Sequence, residues 1–167
     1  MKKLITLLAF VFTVAVYGQD YVKGSIVTQR YDTISNVKIK KLSDAKSLLH
    51  LSYLDEDGIE QALDIDNVKC YTRGDDEFCR VFHNGEMIMV KKLVNGQKLN
   101  LYARHYNGRN IYFVEKVYDE LIKVPTANGK FRKVMSEFLQ INEEVAKKIK
   151  SQELTDINEI VKLYNAS

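Results

Sequence analysis

The sequence predicts an α+β fold: an antiparallel β-meander, partly closed in the manner of a barrel, followed by about three C-terminal helices. Three observations carry this expectation. Asn95-Gly96 and Asn107-Gly108 each stand between alternating apolar runs, and Asn-Gly suits a two-residue hairpin turn because both central residues need positive φ. Short alternating segments separated by turn residues reach back on the N-terminal side as far as Tyr21. After Gly129 the apolar spacing changes from alternation to the period of a helix.

The meander is expected over Glu86 to Val94, Gln97 to His105 and Arg109 to Tyr118. Two-residue turns would set Val94 opposite Gln97, Val90 opposite Leu101 and Leu101 opposite Val114. One face would then collect Ile88, Val90, Val94, Leu99, Leu101, Ala103, Tyr112 and Val114, with Lys92 and Lys116 among them. The other would mix Met87, Met89, Leu93, Tyr102, Ile111 and Phe113 with Lys91, Lys98, Asn100, Arg104 and Glu115.

Taken from the start, Met1-Lys2-Lys3 is a basic opening and Leu4 to Val16 an uncharged apolar run. Small residues at Val16 and Gly18 predict cleavage after Gly18, so that residues 1–18 are a signal peptide. The run is shorter than the roughly 20 residues that span a bilayer, and no cysteine follows it to accept a lipid. The expectation is an exported chain, periplasmic or secreted, with one domain over 19–167: β-rich over 19–125 and helical over 126–167. Removing Lys2 and Lys3 from the 25 basic residues leaves 23 against 22 acidic ones, which supplies no electrostatic reason to expect nucleic acid.

Tyr21 to Tyr31 reads as a strand interrupted by Gly24, with a turn at Asp32-Thr33 and a second strand from Ile34 to Leu42. Glycine weakens a strand unless a bulge or a close backbone approach is wanted. Ser43 to Ser47 reads as a polar loop, Leu48 to Leu54 and Ile59 to Ile65 as strands about the acidic turn Asp55-Glu56-Asp57-Gly58. A calcium loop does not fit that turn, since its first and last ligand positions would fall on Tyr53 and Asp64. Asn67 to Thr72 and Glu77 to His83 flank a four-residue hairpin loop, Arg73-Gly74-Asp75-Asp76. Its Arg-Gly-Asp spells an adhesion tripeptide, but Gly and Asp are what a hairpin tip needs in any case.

A last strand over Tyr118 to Val124 is ended by Pro125 and Ala127-Asn128-Gly129. Phe131, Val134, Met135, Phe138 and Leu139 form one helical stripe, expected to lie on the mixed face of the meander. Asn142 is placed to cap a second helix with Glu143 and Glu144 in its first turn, and Thr155 a third.

Cys70 and Cys79 stand symmetrically about Gly74-Asp75. In an oxidising compartment they either bridge across two strands or remain reduced, buried small hydrophobes. A metal role has no support from CxxC spacing or a neighbouring histidine. His50, His83 and His105 are scattered over three segments. No catalytic, cofactor-binding or metal-binding residue is assigned, and no cofactor is expected.

With these residues laid out, the chain resembles an uncharacterised group of exported proteins from flavobacteria and other Bacteroidetes. The likeness lies in Gly24-Ser25-Ile26-Val27 with Asp32-Thr33-Ile34, in Leu93-Val94-Asn95-Gly96 with Leu99-Asn100-Leu101-Tyr102, and in Ala146-Lys147-Lys148-Ile149 with Tyr164-Asn165. Similar modules stand alone or precede an outer-membrane β-barrel, so the resemblance implies an envelope location without an activity. Many relatives carry cysteines near Ile141-Asn142 and after the Tyr-Asn pair; here there are none, and Ala166 follows Asn165. With no barrel after Ser167, no membrane span is expected in the mature chain.

The leading functional expectation is a non-enzymatic envelope module that binds another cell-envelope protein or component. Its expected interaction face is Met87, Met89, Tyr102, Arg104 and Phe113, because Tyr and Arg are favoured at interfaces. The alternatives are a hydrolase-like enzyme assembled from distant residues such as Asp64, Asp66 or a histidine, and a carrier of a small apolar ligand.

Overall fold

A computed structural model describes residues 20–117 and 120–167. The expected signal segment and its cleavage point after Gly18 lie outside the described residues, as does Tyr118. The strands are β1 (Tyr21–Thr28), β2 (Thr33–Lys40), β3 (Leu51–Leu54), β4 (Glu60–Leu63), β5 (Val68–Arg73), β6 (Asp76–His83), β7 (Glu86–Val94), β8 (Leu99–Tyr106), β9 (Arg109–Lys116) and β10 (Leu121–Lys123). A one-turn helix α1 (Asp44–Ser47) follows β2, and α2 (Asn128–Phe138), α3 (Glu143–Lys150) and α4 (Ile157–Ala166) close the chain. The strands form an open antiparallel sheet in the order β10-β9-β8-β7-β6-β5-β1-β2-β3-β4, so the α+β expectation stands and the sheet does not close.

By contacts the chain divides into two units, one ending at Cys79 and one running from Arg80 to Ser167. The helical residues from 126 onward therefore belong with β7 to β10 rather than standing apart.

In the first unit Gly24 supplies both of the things that glycine in a strand is for. The β1–β2 register shifts between Gly24 and Ile26, and a Cβ on Gly24 would run into the Thr72 carbonyl of β5 and the Ile39 side chain. The strand ends at Thr28, earlier than Tyr31, because Tyr31 at φ 68° turns the chain and Thr28 N–H donates to the Asp32 carbonyl. The polar stretch after β2 is not simply a loop: the Ser43 hydroxyl accepts from Lys46 N–H and caps α1. The strand expected as far as Ile65 stops at Leu63, where Asp64 caps a single 3₁₀ turn over Ile65–Asn67. The hairpin tip is tighter than expected, since Arg73 pairs with Asp76 and leaves only Gly74-Asp75 to turn. Ile26, Ile39, Val68, Tyr71 and Phe78 are the deepest side chains here.

In the second unit the meander is where it was expected, but one register is not. Leu101 does pair with Val114, and the Asn107-Gly108 turn has the two positive φ values, 49° and 73°, of a type I′ turn. Asn84-Gly85 makes a turn of the same kind between β6 and β7, with φ 51° and 85°. Asn95-Gly96 does not. Lys91 pairs with Ala103 and Lys92 with Tyr102, and the connection from Val94 to Leu99 is four residues long rather than two. The change in register is odd, and it moves Ile88 and Val90 to the face of Tyr102 and Phe113. An irregularity between Lys92 and Val94 then returns Val94 to the Leu101 side.

The helices cover the other face from the one expected. Met135, Leu139, Val145, Ile149, Ile160 and Val161 pack on Leu99, Leu101 and Val114. Leucine and valine at alternate positions offer that surface, whereas Asn100, Arg104 and Glu115 share the opposite one. Asn142 caps α3 as expected, its Oδ1 accepting from Val145 N–H at 3.0 Å. The cap of α4 is Asp156, one residue beyond Thr155, whose carboxylate accepts from Asn158 and Glu159 N–H at 2.8 and 3.1 Å. Asn128-Gly129, read only as part of the segment that ends the last strand, opens α2.

Candidate functional site

The second unit carries an open groove of about 740 Å³ along the end of the β8–β9 hairpin and the start of α2. Its position follows from local chemistry. The Asn107-Gly108 turn sets Tyr106 directly opposite Arg109. Pro125 cannot extend β10, and Val124 N–H makes the last bond, to the Tyr112 carbonyl at 2.9 Å. The chain then turns through Thr126 and Ala127 into the helix, and Lys130 enters the groove from its first turn. Lys123 completes the lining from the end of β10, and Tyr106 is 57% exposed at the rim.

A second open groove of about 390 Å³ shares Val124, Pro125 and Thr126 with the first and adds Asn128, Arg132 and Asp156. The Arg132 Nε is buried and has no hydrogen-bond partner among the described residues. Arg109, Lys123, Lys130 and Arg132 make no ion pair among the described residues either. Among the described residues no carboxylate lines the first groove. The one in the second, Asp156, is spent on its helix: the Glu159 N–H, with that of Asn158, holds its carboxyl below the usual range against a smaller opposing effect of burial. The arrangement is a cationic trough, suited to holding an anion.

Of the five residues expected to form an interaction face, Met89, Tyr102 and Phe113 are buried, Arg104 is half-buried and Met87 is exposed. Strand pairing puts Tyr102 and Phe113 on one side and Met87 and Met89, which alternate with Lys92, on the other, so the five do not share a face. The odd register of β7 is the reason. Cys70 and Cys79 are directly opposed on β5 and β6, with Cα atoms 4.1 Å apart, and are joined as a disulfide. Their sulfurs and the Glu77 carboxylate are close enough to gather about a metal only if the thiols are free.

The histidines are dispersed. His50 is exposed beyond α1, His83 lies edge-on to Phe113 with ring centroids 5.0 Å apart, and His105 Nδ1 is 3.1 Å from Asn110 Oδ1. Asp64 accepts from Asp66 N–H at 2.9 Å as a turn cap. The acidic turn is held by Asp55, whose carboxyl takes hydrogen bonds from Gln61 Nε2 and Ile59 N–H, both at 2.8 Å, and is kept below the usual carboxylate range by them.

Arg73 does not display an adhesion tripeptide. It is buried, donates to the Leu42 carbonyl and the Ser47 hydroxyl, pairs with Asp44 and Asp76 at 3.2 and 2.9 Å, and lies 5.0 Å from the Phe78 ring centre. Tyr71 stacks on the other partner, Phe78, at 4.7 Å and donates to the Ser47 carbonyl. Burial pushes the Tyr71 hydroxyl well above its ordinary range.

Sequence reading missed the trough because its cations come from three elements with no fixed spacing. The one local signal was Ala127 at the helix start, where a capping side chain is usual. Among the described residues no helix is long and apolar enough to cross a membrane. No protein-family model matches the chain, and no characterised protein or solved structure is significantly similar to it.

Proposed function

We propose that the chain is an exported, non-enzymatic envelope module that works by binding an anionic component of the envelope. The observation that carries this reading is the trough itself: Arg109, Lys123 and Lys130 line an open groove with no carboxylate among the described residues that line it. Unpaired cations held close together repel one another, and a bound anion relieves that cost. The basic opening and apolar run of residues 1–18, together with the resemblance to exported Bacteroidetes proteins, support the location.

Two measurements test it. Intact mass of the exported protein is expected to begin at Gln19; retention of residues 1–18 after export removes the location. The purified protein is expected to sediment with envelope preparations and to be released by salt, as screened surface charges require. Reversing the trough with Arg109→Glu, Lys123→Glu and Lys130→Glu is expected to cut the bound fraction at least tenfold. Unchanged sedimentation of that variant overturns the assignment of the trough.

A further inference from the structure

We infer that Cys70, Cys79 and Glu77 form a second site, a metal centre gated by thiol exchange: shut as a disulfide, and open to a zinc-class ion once a dithiol reductant has cleaved the bridge. The site is independent of the trough and lies wholly in the first unit. Strand alternation builds it. Cys70 pairs with Cys79 and Thr72 with Glu77, so the two sulfurs and the carboxylate project from one face of the β5–β6 hairpin, while Tyr71 and Phe78 project from the other. Sequence spacing hid the set, since Cys70 is nine residues from Cys79 along the chain and beside it across the strands.

The distances fit a small ion. The Cys79 sulfur lies 3.3 Å from Glu77 Oε1, and the three ligand atoms all fall within 4.8 Å of one another. A tetrahedral zinc with bonds of about 2.0–2.3 Å holds its ligands roughly 3.3–3.8 Å apart. Once the S–S bond is broken, the sulfurs reach that separation by side-chain rotation, because their Cα atoms are 4.1 Å apart on paired strands. The hairpin does not need the bridge to keep them there. Tyr71 stacks on Phe78 at 4.7 Å, and Arg73 pairs with Asp76 at 2.9 Å nearer the tip. The bridge closes a short loop, where a disulfide removes least chain entropy.

Two thiolates and one carboxylate choose the ion. Calcium and magnesium take oxygen ligands, whereas the mixed set suits zinc, with a fourth position left to water. Cys79 is buried and Cys70 is half-buried, so a donor thiolate attacks the Cys70 sulfur, the S–S bond breaks, and Cys79 leaves with the electron pair. The donor's second thiolate then attacks the mixed disulfide and frees Cys70, so that the donor ends as a disulfide and the protein as two thiols. Zinc binding releases the thiol protons to water.

Zinc titration of the exported protein, with and without a phosphine reductant, tests the inference. The reduced protein is expected to bind one zinc and to keep the strand NMR shifts of Tyr71 and Phe78, and the oxidised protein to bind at least a hundredfold more weakly. Cobalt(II) in place of zinc is expected to give a thiolate-to-metal charge-transfer band. Glu77→Gln is expected to weaken zinc binding at least tenfold while keeping that band, whereas Glu56→Gln in the acidic turn changes neither. Cys70→Ser with Cys79→Ser is expected to abolish both binding and band. No zinc uptake on reduction, equal uptake by the oxidised protein or the double serine variant, an unchanged affinity in Glu77→Gln, or loss of the hairpin on reduction overturns the site.

Discussion

Leu139→Ala is expected to destabilise the second unit by about 2–5 kcal/mol, the range for a fully buried leucine whose surroundings relax only in part. Leu139 is fully buried at the end of α2 and packs in the cluster that joins the three C-terminal helices to Leu99, Leu101 and Val114. An isolated helix of this length is marginal in water, so packing on the sheet supplies most of the stability of α2. Phe138→Ala is expected to cost less, although phenylalanine is larger. Phe138 is only partly buried, and Lys116 Nζ sits 4.3 Å from its ring centre near the surface. Urea unfolding of both variants decides the order; a Phe138→Ala loss equal to or greater than that of Leu139→Ala would show that the stripe is packed differently.

Asn165→Ala is expected to cost about 1–3 kcal/mol and to loosen the loop between β7 and β8, because it leaves backbone groups there without partners. The Asn165 Oδ1 accepts from Lys98 and Leu99 N–H, both at 3.0 Å, while its Nδ2 donates to the Leu99 and Val161 carbonyls, both at 2.9 Å. Gly96 lies against the same side chain with no room for a Cβ. Hydrogen exchange of the Leu99 amide is expected to quicken at least tenfold in the variant, with exchange in the Asn107-Gly108 hairpin unaltered. Unchanged protection at Leu99 would show that the loop holds its own shape.

Three of the four Asn-Gly pairs, those that join strands, show how far local reading goes. Asn84-Gly85 and Asn107-Gly108 adopt the same turn because nothing contacts them strongly enough to override their φ preferences; an added Cβ at either glycine would meet nothing within 4 Å. Asn95-Gly96 has the same local preference and a different fate, because a side chain more than sixty residues away is docked on it. The two-residue turn that local preference favours would break four hydrogen bonds of Asn165 and Asn100 with this loop.

What the sequence determined by itself was whatever depends on near neighbours. Alternation placed the strands, the cap at Asn142 started its helix, that of the last helix was expected one residue early at Thr155, and the change of period after Gly129 marked the passage from sheet to helix. The symmetric placing of Cys70 and Cys79 about an even turn already set them opposite one another. Tertiary structure alone decided which residues of β7 join each face of the meander, since a loop held by Asn165, remote in sequence, comes with an odd register shift that exchanges the two faces of β7. It alone assembled the cationic trough as well. Arg109, Lys123, Lys130 and Arg132 become neighbours only when the hairpin, the proline-ended strand and the uncapped helix meet, and charges on separate elements leave no periodic trace in a sequence.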